Sequence, residues 1–556
     1  MPDRIAFMKR AGRLKTARRA PLGWLVPLVL ALSACGGGGA GAGSSVDPPP
    51  ASLQVPDLGA VSAASRSSAL PEGWQRGPFM QIHVRAYQDS NGDGVGDLRG
   101  LISRLDYLKD LGVRGLWLLP VTDSADRDHG YAVRNYRAIE ADYGSAQDLQ
   151  DLLEQAHQRG IGVILDYVIN HASSEHPLFL NARGRASHPQ RDYFVWQSNV
   201  PAGWSIYGQN PWYATPTGAY FAPFWSGMPD FNWRHAPVRD FHHDNLRYWL
   251  NRGVDGFRFD AVGHLIENGP TAWDNQPDNH AIMAGVRELV MGYERRYMVC
   301  ESPGASRAFA AATSCGSAFA FDLKDAMVRA ARGDNPAAVQ AVARYFASAP
   351  ASMATFLANH DRFAGDRLWH QYAGDESVYR MAATTLLMLP GTPFIYYGEE
   401  IGMGHGRGLQ GDPALRAPMS WSPTTAGFTT GQPFRAPAEN LATHNVATQQ
   451  ATPGSLLATY RQRIALRQAH PALHRGDYRD AGSQGAVLAF ERFTPEQRLL
   501  VLIHYGRKPD TVSLTLPPGS RWRALEGDSG SCTVDAAGQA VFELTPQSLR
   551  IYELES

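Results

Sequence analysis

The chain has 556 residues, too many for one compact core, so two or three domains are expected. Its 44% hydrophobic content and 13 tryptophans exclude an intrinsically disordered chain. The net charge of −1 conceals an asymmetry, because residues 1–34 hold seven basic residues and one acid. No basic stripe follows them, which excludes nucleic acid as a partner.

Taken in chain order, the first element is a leader. Seven basic residues between Arg4 and Arg19 precede an apolar stretch from Pro21 to Leu32, closed by Leu32-Ser33-Ala34-Cys35. Basic, apolar and then small residues form a secretory signal, and the stretch is too short for a comfortable transmembrane helix. The closing tetrapeptide resembles the bacterial lipobox, so residues 1–35 are expected to be a lipoprotein-type signal with lipidation at Cys35. An exported, outer-membrane-anchored protein follows, with an ordinary cleaved signal and a periplasmic or secreted product as the alternative. Residues 36–70 are expected to be a flexible tether on their Gly, Ser and Pro content. The membrane is then touched only through the lipid.

From Phe79 a rhythm sets in of short apolar run, loop and amphipathic stretch. The runs Phe79–Val84, Gly115–Leu119, Ile161–Asp166, Gly256–Asp260, Tyr297–Cys300, Ala318–Phe321, Met353–Leu357 and Phe394–Tyr397 are predicted strands. Between them, Leu98 to Leu108 follow helical spacing up to Gly112, and Ser145 caps a helix that Gly160 stops. Eight strands with intervening helices predict an α/β fold, a parallel (β/α)8 barrel over about residues 71–475. A doubly wound open sheet is the alternative, but no Gly-rich phosphate loop follows an early strand. About sixty residues after Asn170 lack helical periodicity, so an inserted domain is expected at about 171–228, after the third strand. Ala486–Arg492, Leu499–Tyr505, Thr511–Leu516 and Val541–Leu544 predict an antiparallel C-terminal β-sandwich domain over 476–556. Cys300, Cys315 and Cys532 are read as packing residues, with pairing left open.

The chemistry lies in acids at the strand ends. Arg258 and Asp260 point the same way on one strand while Phe257 and Phe259 pack behind. An arginine beside a carboxylate keeps it ionised, which suits a nucleophile. Glu301 follows an apolar run and is crowded by Asp260 and Asp361, conditions that raise its pKa and suit a general acid. Asp361 is a third carboxylate for charge or hydroxyl binding, and His171 and His360 are expected to meet sugar hydroxyls. One ionised and one protonated carboxyl flanking a bond are the requirements of glycoside hydrolysis.

These runs resemble the signature regions of the α-amylase family of retaining glycoside hydrolases (glycoside hydrolase family 13). Asp166-Tyr167-Val168-Ile169-Asn170-His171 is similar to the first region, Gly256–His264 to the nucleophile region and Phe356–Asp361 to the third-carboxylate region. Glu301 matches the acid region, and Gly391–Glu400 resembles the eighth strand and its loop. Met228-Pro229-Asp230-Phe231-Asn232 looks like the segment closing the inserted domain in members between oligo-1,6-glucosidases and neopullulanases. The resemblance implies Asp260 as nucleophile, Glu301 as acid and base, and Asp361 as third carboxylate. It also implies substrate binding by Tyr131, His171, Arg258 and His360.

The chain departs from the family at some positions. Ala132 stands where exo-acting relatives carry an aspartate that grips the terminal glucose, which argues for a cleft accepting internal bonds. Gly263 replaces a lysine common in α-amylases.

Asp89, Asn91, Asp93 and Asp97 place oxygens at alternate positions in a Gly-rich loop, as at the start of a calcium loop. The resemblance implies a structural calcium there, with Val95 giving its carbonyl. Asn170 matches a ligand of the family's other calcium site; an acidic surface turn is the alternative for the first loop.

The expected activity is cleavage of α-1,4-glucosidic bonds in starch-like α-glucans or maltooligosaccharides by a monomer. The alternatives are neopullulanase, oligo-1,6-glucosidase or trehalose synthase-like transglycosylation, and a glucan-binding protein without catalysis.

Overall fold

A computed structural model describes residues 52–64, 67–126, 128–527 and 530–555. The signal sequence and Cys35 lie outside the described residues. Among the described residues, no helix is long and apolar enough to cross a membrane.

Seven strands run parallel in one sheet: Phe79–Ile82, Gly115–Leu118, Gly162–Tyr167, Gly256–Phe259, Tyr297–Cys300, Ala354–Thr355 and Thr392–Tyr396. Phe79 pairs with both Gly115 and Phe394, so the first and last strands are neighbours. Single parallel bridges, Cys300 to Ala318 and Phe319 to Ala354, close the remaining gap. The result is an eight-position α/β barrel whose sixth position is reduced to two residues. The predicted strand Ala318–Phe321 is thus shortened, because Phe321 already starts the helix Phe321–Ala330.

The strands are buried on both faces, as a parallel barrel jacketed by helices requires. Phe79, Trp117, Ile164, Val299, Phe319 and Phe394 fill the interior, with Trp74 pressed in from below. That plug explains two glycines: a Cβ at Gly162 would lie 2.2 Å from the Trp74 ring, and one at Gly115 2.3 Å from Phe79. Outside, Ser145 closes a capping box with Asp148 on the helix Ala146–Gln158. Gly112, in the left-handed region, ends Leu105–Leu111.

The inserted segment folds into a three-stranded antiparallel sheet of Trp196–Gln197, Gly218–Phe221 and Trp212–Thr215, with the helix Pro177–Gly184. A bridge from His171 to Asp230 pairs its two ends with each other, and one from Phe194 to Phe231 ties its interior to the closing segment. At the C-terminus, six antiparallel strands face a two-stranded sheet, Asp510–Thr515 with Gln539–Leu544. Leu500, Leu502, Val512, Leu514, Trp522 and Phe542 form the core between them. Buried Arg467, on the helix Leu456–Ala469, donates to the carbonyls of Leu387, Leu389 and Gly391. From within the domain, Arg492 reaches the Met388 carbonyl. These contacts fuse the domain to the barrel.

Two expectations are corrected here. The tether does not extend to residue 70, because Asp57 is fully buried against His176 and the Tyr136 amide. Leu53 and Val61 are likewise held, by Asn181 and Asp244. The cysteines are not all simple packing residues: Cys300 and Cys315 form a disulfide, while Cys532 is free.

Candidate active site

Parallel pairing sets the site's layout. Asp166 pairs with Arg258 across neighbouring strands, and the last pair between the next two strands is Phe259 with Cys300. Asp260 and Glu301 therefore leave adjacent strands at one level, where strands stand about 4.8 Å apart. Arg258 lies among the three acids. Its Nη1 is 2.8 Å from Asp166 and 2.7 Å from Asp260, and its Nη2 is 2.8 Å from Glu301. Tyr131 donates to Asp166 at 2.8 Å and lies 2.8 Å from His360 Nε2. His360 in turn is 3.1 Å from Asp361. The structure thus gathers Tyr131, Arg258, Asp260, Glu301, His360 and Asp361 into one contact network.

Exposure divides the acids. The Asp166 side chain has none, whereas Asp361 keeps 21% and Asp260 11%. Asp166 therefore orients Arg258 and Tyr131, and it is the other acids that a substrate can reach. Both candidate reacting carboxyls are raised. Burial pushes Asp260 up to about 6 while Arg258 pulls it back. Burial pushes Glu301 up to about 7, Arg258 opposes this, and the charge and hydrogen bond of Asp260 add to it. Asp361 is also lifted to about 7 by burial, against the pull of Arg416. Glu301 therefore holds its proton more readily than Asp260. The two carboxyls grip one guanidinium, Asp260 on Nη1 and Glu301 on Nη2, a close placement that suits the ~5–5.5 Å of retaining glycosidases better than the ~6.5–9.5 Å of inverting ones.

The histidines differ. His360 has both ring nitrogens in contact with protein groups: Gln81 at Nδ1, and Tyr131 and Asp361 at Nε2. His171 is buried, and its Nε2 has no partner. Burial drops His171 to about 3, so it is a neutral ring able to meet a hydroxyl.

Sequence reasoning missed an arginine pair. Arg416 is 3.1 Å from Asp361 and 3.6 Å from Asp128, and Arg435 grips Asp128 at 2.7 Å. Burial alone would raise Asp128, but Arg435 and Arg416 together hold it below the ordinary range. This corrects the inference drawn from position 132. Ala132 is buried, and its amide donates to Asp126. The charged group beside Asp361 is Arg416, which also holds Asp128, whose only sequence signal was its place before Gly130-Tyr131.

The two calcium candidates separate clearly. In the first loop, Asp89 accepts from the amides of Asn91, Gly92 and Gly94 and from Thr429. Asp97 accepts from Ser90 and Gly100, and Asp93 from Asn91 and Val95. Their hard oxygens suit calcium, but the loop is closed by its own donors. No group of three or more His, Cys, Asp or Glu side chains able to hold a metal occurs among the described residues. At the second location, Asn170 Oδ1, both Asp230 carboxyl oxygens and Glu267 Oε2 are buried without hydrogen-bond partners. Burial and the charge of Glu267 lift Asp230 well above the carboxylate range. Unpaired buried oxygens are costly, so a cation there would relieve them.

Comparison with known proteins agrees with this geometry. Residues 81–476 match the family model "Alpha amylase, catalytic domain". The trehalose synthase/amylase TreS of Mycobacterium tuberculosis (strain CDC 1551 / Oshkosh) is 31% identical over 552 residues, covering 89% of this chain and 92% of the relative. The oligo-1,6-glucosidase of Halalkalibacterium halodurans is 30% identical, covering 86% and 98%. The crystal structure of the alpha-amylase from H.orenii superposes with a TM-score of 0.74 at 32% identity, covering 86% of this chain and all of that one. The chain belongs to the alpha-amylase family and is an alpha-amylase-like glycosidase.

Proposed function

We propose that the enzyme cleaves or transfers α-linked glucosyl units by double displacement, with α-1,4-linked maltooligosaccharides as its substrates. The observation that supports this is the placement of Asp260 and Glu301 at one level on adjacent strands, bridged by Arg258. Asp260 attacks the anomeric carbon as the glycosidic C–O bond breaks, and Glu301 gives its proton to the leaving oxygen. Water then attacks the ester, Glu301 takes back a proton, and Asp260 departs with the α configuration retained. Arg258 keeps Asp260 ionised and oriented. Asp361 and His171 bind hydroxyls of the sugar being cleaved, and Tyr131 lines its place.

A second reading, action at glucose termini and on disaccharides, is favoured by the Asp128–Arg416–Arg435 cluster beside Asp361. That cluster offers a charged end-stop for a terminal sugar. The two similar relatives named trehalose synthase/amylase and oligo-1,6-glucosidase accord with it. Product profiles on starch, pullulan, isomaltose and maltose test the pair of readings. Maltooligosaccharides shortened internally support the first, glucose released alone from the outset supports the second, and activity on isomaltose alone defeats the α-1,4 assignment.

Asn170, Asp230 and Glu267 would hold a structural calcium, with the Asp89–Asp97 loop as the other candidate. The ion would neutralise buried oxygens and brace the base of the inserted domain. Export with a lipid at Cys35 is proposed from the leader; membrane release on Cys35→Ala tests it.

A further inference from the structure

Residues 52–64 lie upstream of the first barrel strand and of the matched catalytic domain. They are nevertheless hydrogen-bonded to three separate elements. Leu53 exchanges two hydrogen bonds with the Asn181 side chain, on the helix Pro177–Gly184 of the inserted domain. The Gly59 carbonyl accepts at 2.6 Å from Arg137, on the strand Val133–Ile139 that follows Tyr131. Val61 and Ala64 donate to Asp244 and Asn251, at the helix Ala236–Leu250 that follows the inserted domain. One short strap thus links the inserted domain's own helix to the barrel on either side of it.

At the centre of the strap is Asp57, fully buried in a turn. Its Oδ2 accepts from the Tyr136 amide at 3.1 Å and faces His176 Nε2 at 3.4 Å. His176 is the N-cap of Pro177–Gly184, and its Nδ1 accepts from the Leu178 amide at 3.1 Å. The ring proton is therefore on Nε2, where it meets the carboxyl. Asp57 Oδ1 has no partner, so this carboxyl is costly to bury if packing is its whole purpose. Both partners of Asp57 lead to His171. The Tyr136 hydroxyl donates to the His171 carbonyl at 2.7 Å, and the Ser173 amide donates to the Val133 carbonyl at 2.9 Å. His171 is held on one side by the strand carrying Tyr136 and is followed, five residues on, by His176. Asp57 joins these two supports.

Resting on the reading of His171 as a hydroxyl-binding group, we propose that the strap is a clasp and Asp57 a positioning residue that acts through His171. By holding the strand and the helix cap at one separation, Asp57 sets where the His171 ring, with its unpartnered Nε2, is presented to the sugar. Asp57 itself touches no substrate. Its loss displaces His171 without removing any group from the cleft, and a misplacement of about 1 Å is enough to slow an enzyme substantially.

The test is a double-mutant cycle on kcat/KM for maltose, with Tm measured beside it. Asp57→Asn is expected to lower kcat/KM about tenfold, and His171→Ala at least as much. In the His171→Ala background, Asp57→Asn should change kcat/KM by less than about twofold, because the group it positions is gone. Asn251→Ala, which frees the far end of the strap, should lower Tm and leave kcat/KM within about twofold of wild type. Should Asp57→Asn fail to fold, Tyr136→Phe takes its place in the cycle, since it spares the carboxyl's contacts and cuts the hydroxyl link to His171. No loss in the single variant, a loss undiminished in the His171→Ala background, or an equal loss in Asn251→Ala would overturn the clasp alone. A His171→Ala enzyme with full kcat/KM would overturn the hydroxyl-binding reading and the clasp with it.

Discussion

Asp260 and Glu301 leave adjacent parallel strands one step beyond the pair Phe259–Cys300, so they face each other at the same height above the barrel. The sheet register brings them onto neighbouring strands about 4.8 Å apart, a closeness that a retaining pair needs. Burial raises both carboxyls, Asp260 to about 6 and Glu301 to about 7, while Arg258 pulls each back.

That division predicts different penalties for the two amides. Glu301→Gln should slow natural glucosides about 10²- to 10⁴-fold, while aryl glucosides with good leaving groups lose far less. Asp260→Asn should lose both alike. Steady-state kinetics on maltose and on a nitrophenyl glucoside would show it; equal losses in Glu301→Gln would contradict the acid assignment.

A pH optimum follows from the same pair. Asp260 must be ionised, and burial has raised it to about 6; Glu301 must be protonated, and burial has raised it to about 7. The profile of kcat/KM, which reports the free enzyme, should be a narrow bell between those values. Activity flat across pH 5 to 9 would refute the two roles.

Stability should depend on pH for a separate reason. Behind the eighth strand, Glu399 is buried with one oxygen on Tyr460 and the other unpaired, and burial lifts it to about 8. A raised carboxyl binds its proton more tightly in the folded state. Its contribution is full below the ordinary glutamate pKa and is lost as pH climbs through the folded value. Tm should therefore fall between about pH 5 and 8, and Glu399→Gln should shrink that fall. An unchanged slope in the variant would reject Glu399 as the cause.

Calcium removal offers a further check. Chelation should lower Tm, and Asp230→Asn should reduce that shift more than Asp89→Asn, because the unpaired oxygens lie at Asp230. A shift abolished only by Asp89→Asn would move the ion to the first loop, and no shift at all would leave both without one.

Much of this site was legible because strands impose order on short runs. Alternation put Arg258 and Asp260 on one side, and their network confirms that placement. Ser145 announced its helix through a hydroxyl that caps it. What stayed hidden lacked such a period. Arg416 and Arg435 sit in the irregular stretch after Ile401, which folds back over the first strand's loop through Met419, Trp421 and Phe434. Asp57 is held by two buried polar contacts that no local pattern signals. In the C-terminal domain, Arg521–Glu526 and Ser548–Leu554 escaped notice because charged residues dilute their alternation. The disulfide depends on the loop that returns Cys315 to the strand end at Cys300, a tertiary fact.

The sharpest test is to trap the enzyme-bound sugar. Incubation with 5-fluoro-α-glucosyl fluoride, followed by digestion and peptide mass mapping, reads where the ester forms. One glucosyl adduct on Asp260, released with return of activity, is the result this geometry requires. Turnover with no adduct, or an adduct on Asp361 or Asp166 instead, would show that Asp260 is not the attacking group.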